Sequence, residues 1–267
     1  MEFQDHRVLV VGGTSGLNLG IALGFAEAGA RVAVASRDSA KVDAAVEHLK
    51  QAGAAEALGF QVDVRDPDRV EAMYLELARH WDSIDVLVSG AAGNFPAPAA
   101  TLSPNGFKAV AEIDLHGAFH VAHFGYPHLT RPGGHLIHIS APQAYQAMPM
   151  QSHVCAAKAG VDMLTRTLAL EWGREGIRVN SLVPGPIANT EGMDRLAPGE
   201  ALQAKVASTV PLQRLGQWQD MANAAKLLSS PLSSYITGVV LPVDGGWSLG
   251  GVSLAMSHLA QGLNKSG

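Results

Sequence analysis

The run Gly12-Gly13-Thr14-Ser15-Gly16-Leu17-Asn18-Leu19-Gly20 follows directly on a β-branched stretch, Arg7 to Val11, and leads into an Ala-rich segment. Glycines there let the backbone turn sharply and approach a pyrophosphate, whose charge is favoured by the N–H groups that open a helix. A Gly-rich turn alone also fits a purely structural corner; its strand-turn-helix setting is what predicts a dinucleotide site. The second β-branched stretch ends in Ser36-Arg37, where a site for NAD would offer a carboxylate to the ribose 2′-hydroxyl. A guanidinium instead gives charge-assisted bonds to a 2′-phosphate that a carboxylate would repel, so NADP is the predicted cofactor. The alternative for Arg37 is a solvated charge at a helix start.

Holding such a turn requires a sheet. Apolar, β-branched runs alternate with longer amphipathic stretches from Arg7 to about Val183, the pattern of a doubly wound, Rossmann-type parallel sheet with helices on both faces. Strands are predicted at Arg7 to Val11, Arg31 to Ser36, Ala57 to Val62, Asp85 to Ser89, His135 to Ile139, Arg178 to Val183 and Val239 to Val243. Between Pro184 and Val210 the chain mixes Pro, Gly, charges and isolated apolar residues, with Pro198-Gly199 as a turn signal, and a substrate lid is expected at about 188–210. No repeat or linker divides the chain, so 1–267 is expected to be one domain. The segment after Gly246 has little fold of its own and is expected to pack on a neighbouring subunit.

Composition narrows the partners. The 267 residues are 47% hydrophobic, enough for a buried core, and the formal charge of −5 leaves no basic face broad enough to neutralise a nucleic-acid duplex. Cys155 is the only cysteine, which rules out an internal disulfide or a cysteine metal site and fits a reducing compartment. The N-terminus lacks a basic region ahead of an apolar stretch, charges or Gly and Pro interrupt every long apolar run, and the chain ends Asn264-Lys265-Ser266-Gly267 rather than Ser-Lys-Leu. The expectation is a cytoplasmic protein with no membrane partner.

The glycine turn, Asp63-Val64, Lys158, Arg178-Val179-Asn180 with Pro184-Gly185, and Val243-Asp244-Gly245-Gly246 occur in order, and together they resemble the short-chain dehydrogenases over nearly the whole chain. The resemblance implies that Gly12, Thr14, Ser15, Gly16 and Leu17 wrap the pyrophosphate, that Asp63 and Val64 contact adenine, that Lys158 holds the nicotinamide ribose, and that Pro184, Gly185, Pro186 and Ile187 border the nicotinamide. Asn18 departs from the pattern by standing at the family's third glycine. Most members also place a tyrosine four residues before the lysine and a serine thirteen before that tyrosine; here those positions hold Val154 and Ala141. Neither can give a proton to a carbonyl oxygen, so ordinary carbonyl reduction is disfavoured.

A conjugated 2,4-dienoyl thioester needs no phenol, because hydride enters at the δ-carbon, charge spreads to the thioester oxygen, and the proton ends on carbon. The segments Ala91-Ala92-Gly93-Asn94-Phe95, Leu102-Ser103-Pro104-Asn105, Gln151-Ser152-His153, Thr190-Glu191-Gly192 and Pro211-Leu212-Gln213-Arg214-Leu215-Gly216 are similar to the peroxisomal-type 2,4-dienoyl-CoA reductases. That resemblance adds Ala91 and Gly93 to the cofactor site and implies that Asp114 and Asp244 organise the water that delivers the proton. Asp114 otherwise caps a helix or bonds backbone, and Asp244 otherwise belongs to a turn. It further implies that Arg65 and Arg195 bind coenzyme A phosphates, that Phe95 and Ser103 to Asn105 line the acyl mouth, and that the protein is a homotetramer acting on acyl-CoA thioesters.

His116 is a candidate oxyanion donor, since the mitochondrial-type reductases resemble this segment with an asparagine there; a packed or interfacial histidine is the alternative. Tyr145 and Gln143 lie in a loop expected to face the site, and either can donate. His116, His120 and His123 share a helical face, but no carboxylate-histidine motif accompanies them and no metal is expected. Cys155 is expected to be a small buried helix residue. Two other functions fit parts of the pattern: an NADP-linked oxoacyl or ketone reductase with an unusual proton donor, and a non-catalytic NADP-binding protein.

Overall fold

The computed structural model describes residues 3–250. In chain order these form β1 (Arg7–Val11), α1 (Gly16–Glu27), β2 (Arg31–Ser36), α2 (Ser39–Gln51), β3 (Glu56–Gln61), α3 (Pro67–Leu77), β4 (Val86–Ser89), α4 (Pro104–Ala111), α5 (Gly117–Gly125), β5 (His135–Ile139), α6 (Ser152–Trp172), β6 (Arg178–Pro184), α7 (Glu191–Leu196), α8 (Glu200–Thr209), α9 (Trp218–Ser229) and β7 (Val240–Val243). All seven strands pair in parallel in the order β3-β2-β1-β4-β5-β6-β7. The order reverses between β1 and β4, and ligands of open α/β sheets bind in the crevice beyond the strands at such a point.

Successive side chains of a strand point to opposite faces, and the core divides accordingly. Leu9, Val11, Ala33 and Ala35 turn to one side and pack with Tyr74, Val121 and Trp172 from α3, α5 and α6. Val8, Val10, Val32 and Val34 turn to the other and pack with Ile21, Phe25 and Met221 from α1 and α9. Burial on both faces is why these strands read as continuous apolar runs rather than as alternating ones.

Three predicted strands fall where expected, and the others shift by a residue. β3 starts at Glu56 instead of Ala57 because Arg31, its partner in register, holds the Glu56 carboxylate at 2.6 Å. β6 continues to Pro184, which pairs with Val243. The region read as an irregular lid contains α7 and α8, separated at Gly199 in the left-handed region with φ of +87°. The expectation for the segment after Gly246 falls largely on residues 251–267, outside the described residues.

Candidate active site

Gly12 begins the turn after β1. Its φ of +80° is one that side chains rarely adopt, and a Cβ there would lie 2.7 Å from the backbone nitrogen of Ala91, so only glycine lets the turn close against the loop after β4. Ser15 stands at the N-cap of α1 without capping it, and no acidic residue occupies the first turn. The first-turn N–H groups therefore keep their capacity for an anion. Gly12, Thr14, Ser15, Gly16, Leu17, Asn18, Ser36, Arg37, Lys41, Asp63, Val64 and Ala91 line one cleft of about 720 Å³. A deep glycine cradle with uncapped helix donors fits a dinucleotide pyrophosphate. At the end beyond β2, the Asp38 carboxylate caps α2 through the Lys41 N–H at 3.2 Å, and Arg37 and Lys41 line the cleft beside it.

The chemistry-bearing residues meet beyond β4 and β5. Between α4 and α5 the helix widens through a π-helical turn, Glu112–His116, and Asp114 is its buried residue. Such turns are rare and concentrate at functional sites. Asp114 Oδ1 accepts from the Gly93 N–H at 2.7 Å, and its Oδ2 lies 3.3 Å from Lys158 Nζ. The ammonium also donates to the Ile139 carbonyl at 3.0 Å, at the end of β5. Lysine and aspartate thus form a buried pair anchored to the last residue of one strand and the loop after another. Val154, at the family's tyrosine position, is buried against Val110 and Ala157 and offers no proton.

Other predicted residues are placed as follows. Tyr145 follows the short turn Pro142–Ala144, and burial pushes its phenol upward, keeping it an O–H donor near neutrality. Asp244 is used by its own turn: its carboxylate accepts from the N–H groups of Gly246 at 2.9 Å and Ser248 at 2.8 Å, and it makes no contact with Asp114 or Lys158. His116 is exposed and faces an outer groove with Asp63, Arg65, Glu112 and His120; it does not join the Asp114–Lys158 pair, because the π turn sends the two side chains apart. Among the described residues no cluster of three or more metal-ligating side chains occurs. Cys155 is half-buried.

In the loop after β4, the Phe95 ring packs at a 45° tilt against His153 with ring centroids 4.7 Å apart, and His153 Nε2–H donates to the Phe95 carbonyl at 2.9 Å. The Phe95 ring tip also lies over Gly106 at the start of α4, beside the Ser103 hydroxyl. That hydroxyl caps α4 through the Gly106 N–H at 3.0 Å, and Asn105 is exposed in the first turn. Arg65 grips Asp63 through its Nε and Nη2 edge at 2.5–3.1 Å, a bond that holds the Asp63 carboxyl below the usual range. Pro186 and Ile187 border a second cavity with Asp244 and Leu212. Arg195 belongs to α7, and its side chain lies outside the described residues.

A buried polar seam went unread in the sequence. Lys158, Asp162 and Thr165 share one face of α6, with Thr165 bonded to His138 and Ser181 at 2.8 Å each. Burial raises the Asp162 carboxyl, and the same burial drives His138 down to about 3. The steps of four from Lys158 to Asp162 and of three from Asp162 to Thr165 are the signal that points to this face.

A family model described as enoyl-(acyl carrier protein) reductase matches residues 11–248. The chain is 42% identical to the peroxisomal 2,4-dienoyl-CoA reductase, (3E)-enoyl-CoA-producing, of Pongo abelii, covering 91% of this chain and 84% of that one. The similarly named protein of Danio rerio is 40% identical, with 91% and 81% covered. Among solved structures, a short chain dehydrogenase from Bacillus anthracis matches with a TM-score of 0.79 and 37% identity over 91% of this chain and 96% of that one. A gluconate 5-dehydrogenase from Burkholderia cenocepacia, in complex with NADP and tartrate, matches with a TM-score of 0.85 and 29% identity over 94% and 98%. The names of the curated relatives point to the peroxisome and overturn the cytoplasmic expectation. A single cysteine reports only that no disulfide framework is needed, which does not choose between compartments. No helix among the described residues is long and apolar enough to cross a membrane. Glycine turn, parallel sheet, buried lysine and these matches agree: the chain belongs to the short-chain dehydrogenase/reductase family of nicotinamide-dependent oxidoreductases.

Proposed function

We propose that this enzyme reduces 2,4-dienoyl-CoA thioesters with NADPH. The observation that carries the proposal is the buried Asp114–Lys158 pair in a site whose family tyrosine and serine positions hold Val154 and Ala141. When bound, the nicotinamide supplies hydride. Gly12, Thr14, Ser15, Gly16, Leu17, Ala91 and Gly93 would hold the dinucleotide's phosphates and central portion, Asp63 and Val64 its adenine, and Pro184 to Ile187 its nicotinamide end. Arg37 and Lys41 supply the positive charge a 2′-phosphate needs, and the NADP-bound relative supports that choice.

Addition of hydride at the δ-carbon of a conjugated thioester moves charge to the thioester oxygen and then requires a proton on carbon. Asp114, held by the Gly93 N–H and paired with Lys158, orders the water that brings this proton, while Lys158 keeps the local field positive. Tyr145 is an O–H donor for the developing oxyanion, and Asp244 holds the turn that follows β7. Phe95 and the start of α4 at Ser103 and Asn105 form the acyl mouth, with Arg65 and Arg195 as the cations for coenzyme A phosphates. A homotetramer is part of the proposal, and the exposed apolar side chains Phe119, Met163 and Leu170 on α5 and α6 support self-association.

An NADPH-oxidation assay comparing a 2,4-dienoyl-CoA with acetoacetyl-CoA tests the proposal. Turnover confined to the dienoyl substrate is expected. Reduction of acetoacetyl-CoA alone would return the enzyme to ketone reduction, and NADPH binding without turnover of either would mark a non-catalytic protein.

A further inference from the structure

The one departure within the glycine turn is built into the site. Asn18 lies in the first turn of α1, in the wall of the cofactor cleft, and is only 9% exposed. Its Nδ2 donates to the Gly90 carbonyl at 2.8 Å, across from α1 to the loop that leaves β4. A carbonyl only accepts, so this bond fixes which way the amide points. Asn18 Oδ1 is sealed from solvent with no partner among the described residues, a cost a purely space-filling residue would not incur. Gly90 matches it in shape: a Cβ there would lie 2.4 Å from Asn18 Nδ2, so residue 90 must be small for the amide to reach its carbonyl.

The bond has a continuation. Three residues after Gly90, the Gly93 N–H holds Asp114, and Asp114 pairs with Lys158. One line therefore runs from the pyrophosphate turn through Asn18 and the Gly90–Gly93 loop to the proton-handling pair. We propose that Asn18 is a positioning residue that couples seating of the dinucleotide on α1 to the placement of Asp114. The inference rests on the proposed reaction only for its kinetic arm. Asn18 touches neither reacting atom; it acts through the loop.

The test uses Asn18→Asp, which keeps the size of the side chain but puts an acceptor where Gly90 needs a donor, and Asn18→Gly with and without Gly90→Ala. NADPH affinity is measured by the cofactor's own fluorescence with no substrate present. Amide hydrogen exchange of residues 90–93 is followed with and without NADPH, and kcat is compared with KM for the dienoyl thioester. We expect Kd for NADPH to rise at least fivefold in Asn18→Asp and in Asn18→Gly. NADPH should slow exchange at Gly93 in the parent protein but not in these variants, and kcat should fall with KM nearly unchanged. The double variant Asn18→Gly, Gly90→Ala refills the space without the bond and should stay impaired. Parent-like affinity and exchange in Asn18→Asp, or recovery of both in the double variant, would overturn the proposal and leave Asn18 as packing. If the parent protein binds NADPH but reduces no dienoyl thioester, the reaction assignment fails while affinity and exchange still decide the role of Asn18.

Discussion

At Arg37 the choice between the two nicotinamide dinucleotides comes down to one charge. Arg37 lines the cleft with Lys41, while the neighbouring Asp38 carboxylate caps α2, so Arg37 and Lys41 are the cations available to the proposed 2′-phosphate. Arg37→Ala is expected to weaken NADPH binding by about 1.5–3 kcal/mol, the scale of a hydrogen bond to a charged group, and to leave NADH binding nearly unchanged. Equal losses for both in a fluorescence titration would contradict the assignment. At Asp114 the charge itself is the issue. Asn can still accept from the Gly93 N–H but presents no anion to Lys158, so Asp114→Asn should lower kcat by about 100-fold, the lower range for a positioned acid–base group, with little change in KM. A proportional rise in KM would instead place Asp114 in substrate binding.

Whole elements explain how far the sequence alone could lead. β1, β2 and β5 were legible to the residue because both their faces are buried, which leaves apolar runs after the leading arginines of β1 and β2 and, in β5, Leu136, Ile137 and Ile139 beside the buried His135 and His138. The start of β3 was hidden by Glu56, a charge that looks like loop until its bond to Arg31 is seen. α8 escaped notice because none of its residues is buried and it therefore carries no apolar stripe. The Asp114–Lys158 pairing was not readable as a contact: the π turn has no sequence signature, and it sets Asp114 inward while His116 faces out. Family resemblance named Asp114, but only the fold shows what it touches. The turn after β1 gives a prediction of its own. Gly12→Ala forces a side chain into φ of +80° and against Ala91, and about 1–3 kcal/mol of strain should lower thermal stability and abolish detectable NADPH binding. Unchanged affinity would show that the turn is not the phosphate cradle.

Over the whole molecule, the polar seam between β5, β6 and α6 ties stability to pH. His138 is fully buried, and its pKa falls to about 3 from an ordinary value of 6.5; His135 is driven in the same direction by burial. Between these limits the unfolded chain binds protons that the folded chain refuses. Stability contributed by neutral His138 is therefore present above pH 6.5 and lost as pH falls toward 3, by about 1.4 kcal/mol per pH unit. Denaturant unfolding at several pH values should show a shallower acid loss in His138→Gln than in the parent, and equal slopes would contradict the burial argument. The central claim is that this fold, lacking the tyrosine, delivers hydride to the δ-carbon of a dienoyl thioester and a solvent proton to carbon. It is tested most directly by the destination of each hydrogen. Turnover in deuterium oxide with unlabelled NADPH should yield a 3-enoyl thioester with deuterium at the α-carbon, and deuterated cofactor in ordinary water should move the label to the δ-carbon. An alcohol product, or cofactor deuterium on a carbonyl carbon, would contradict it.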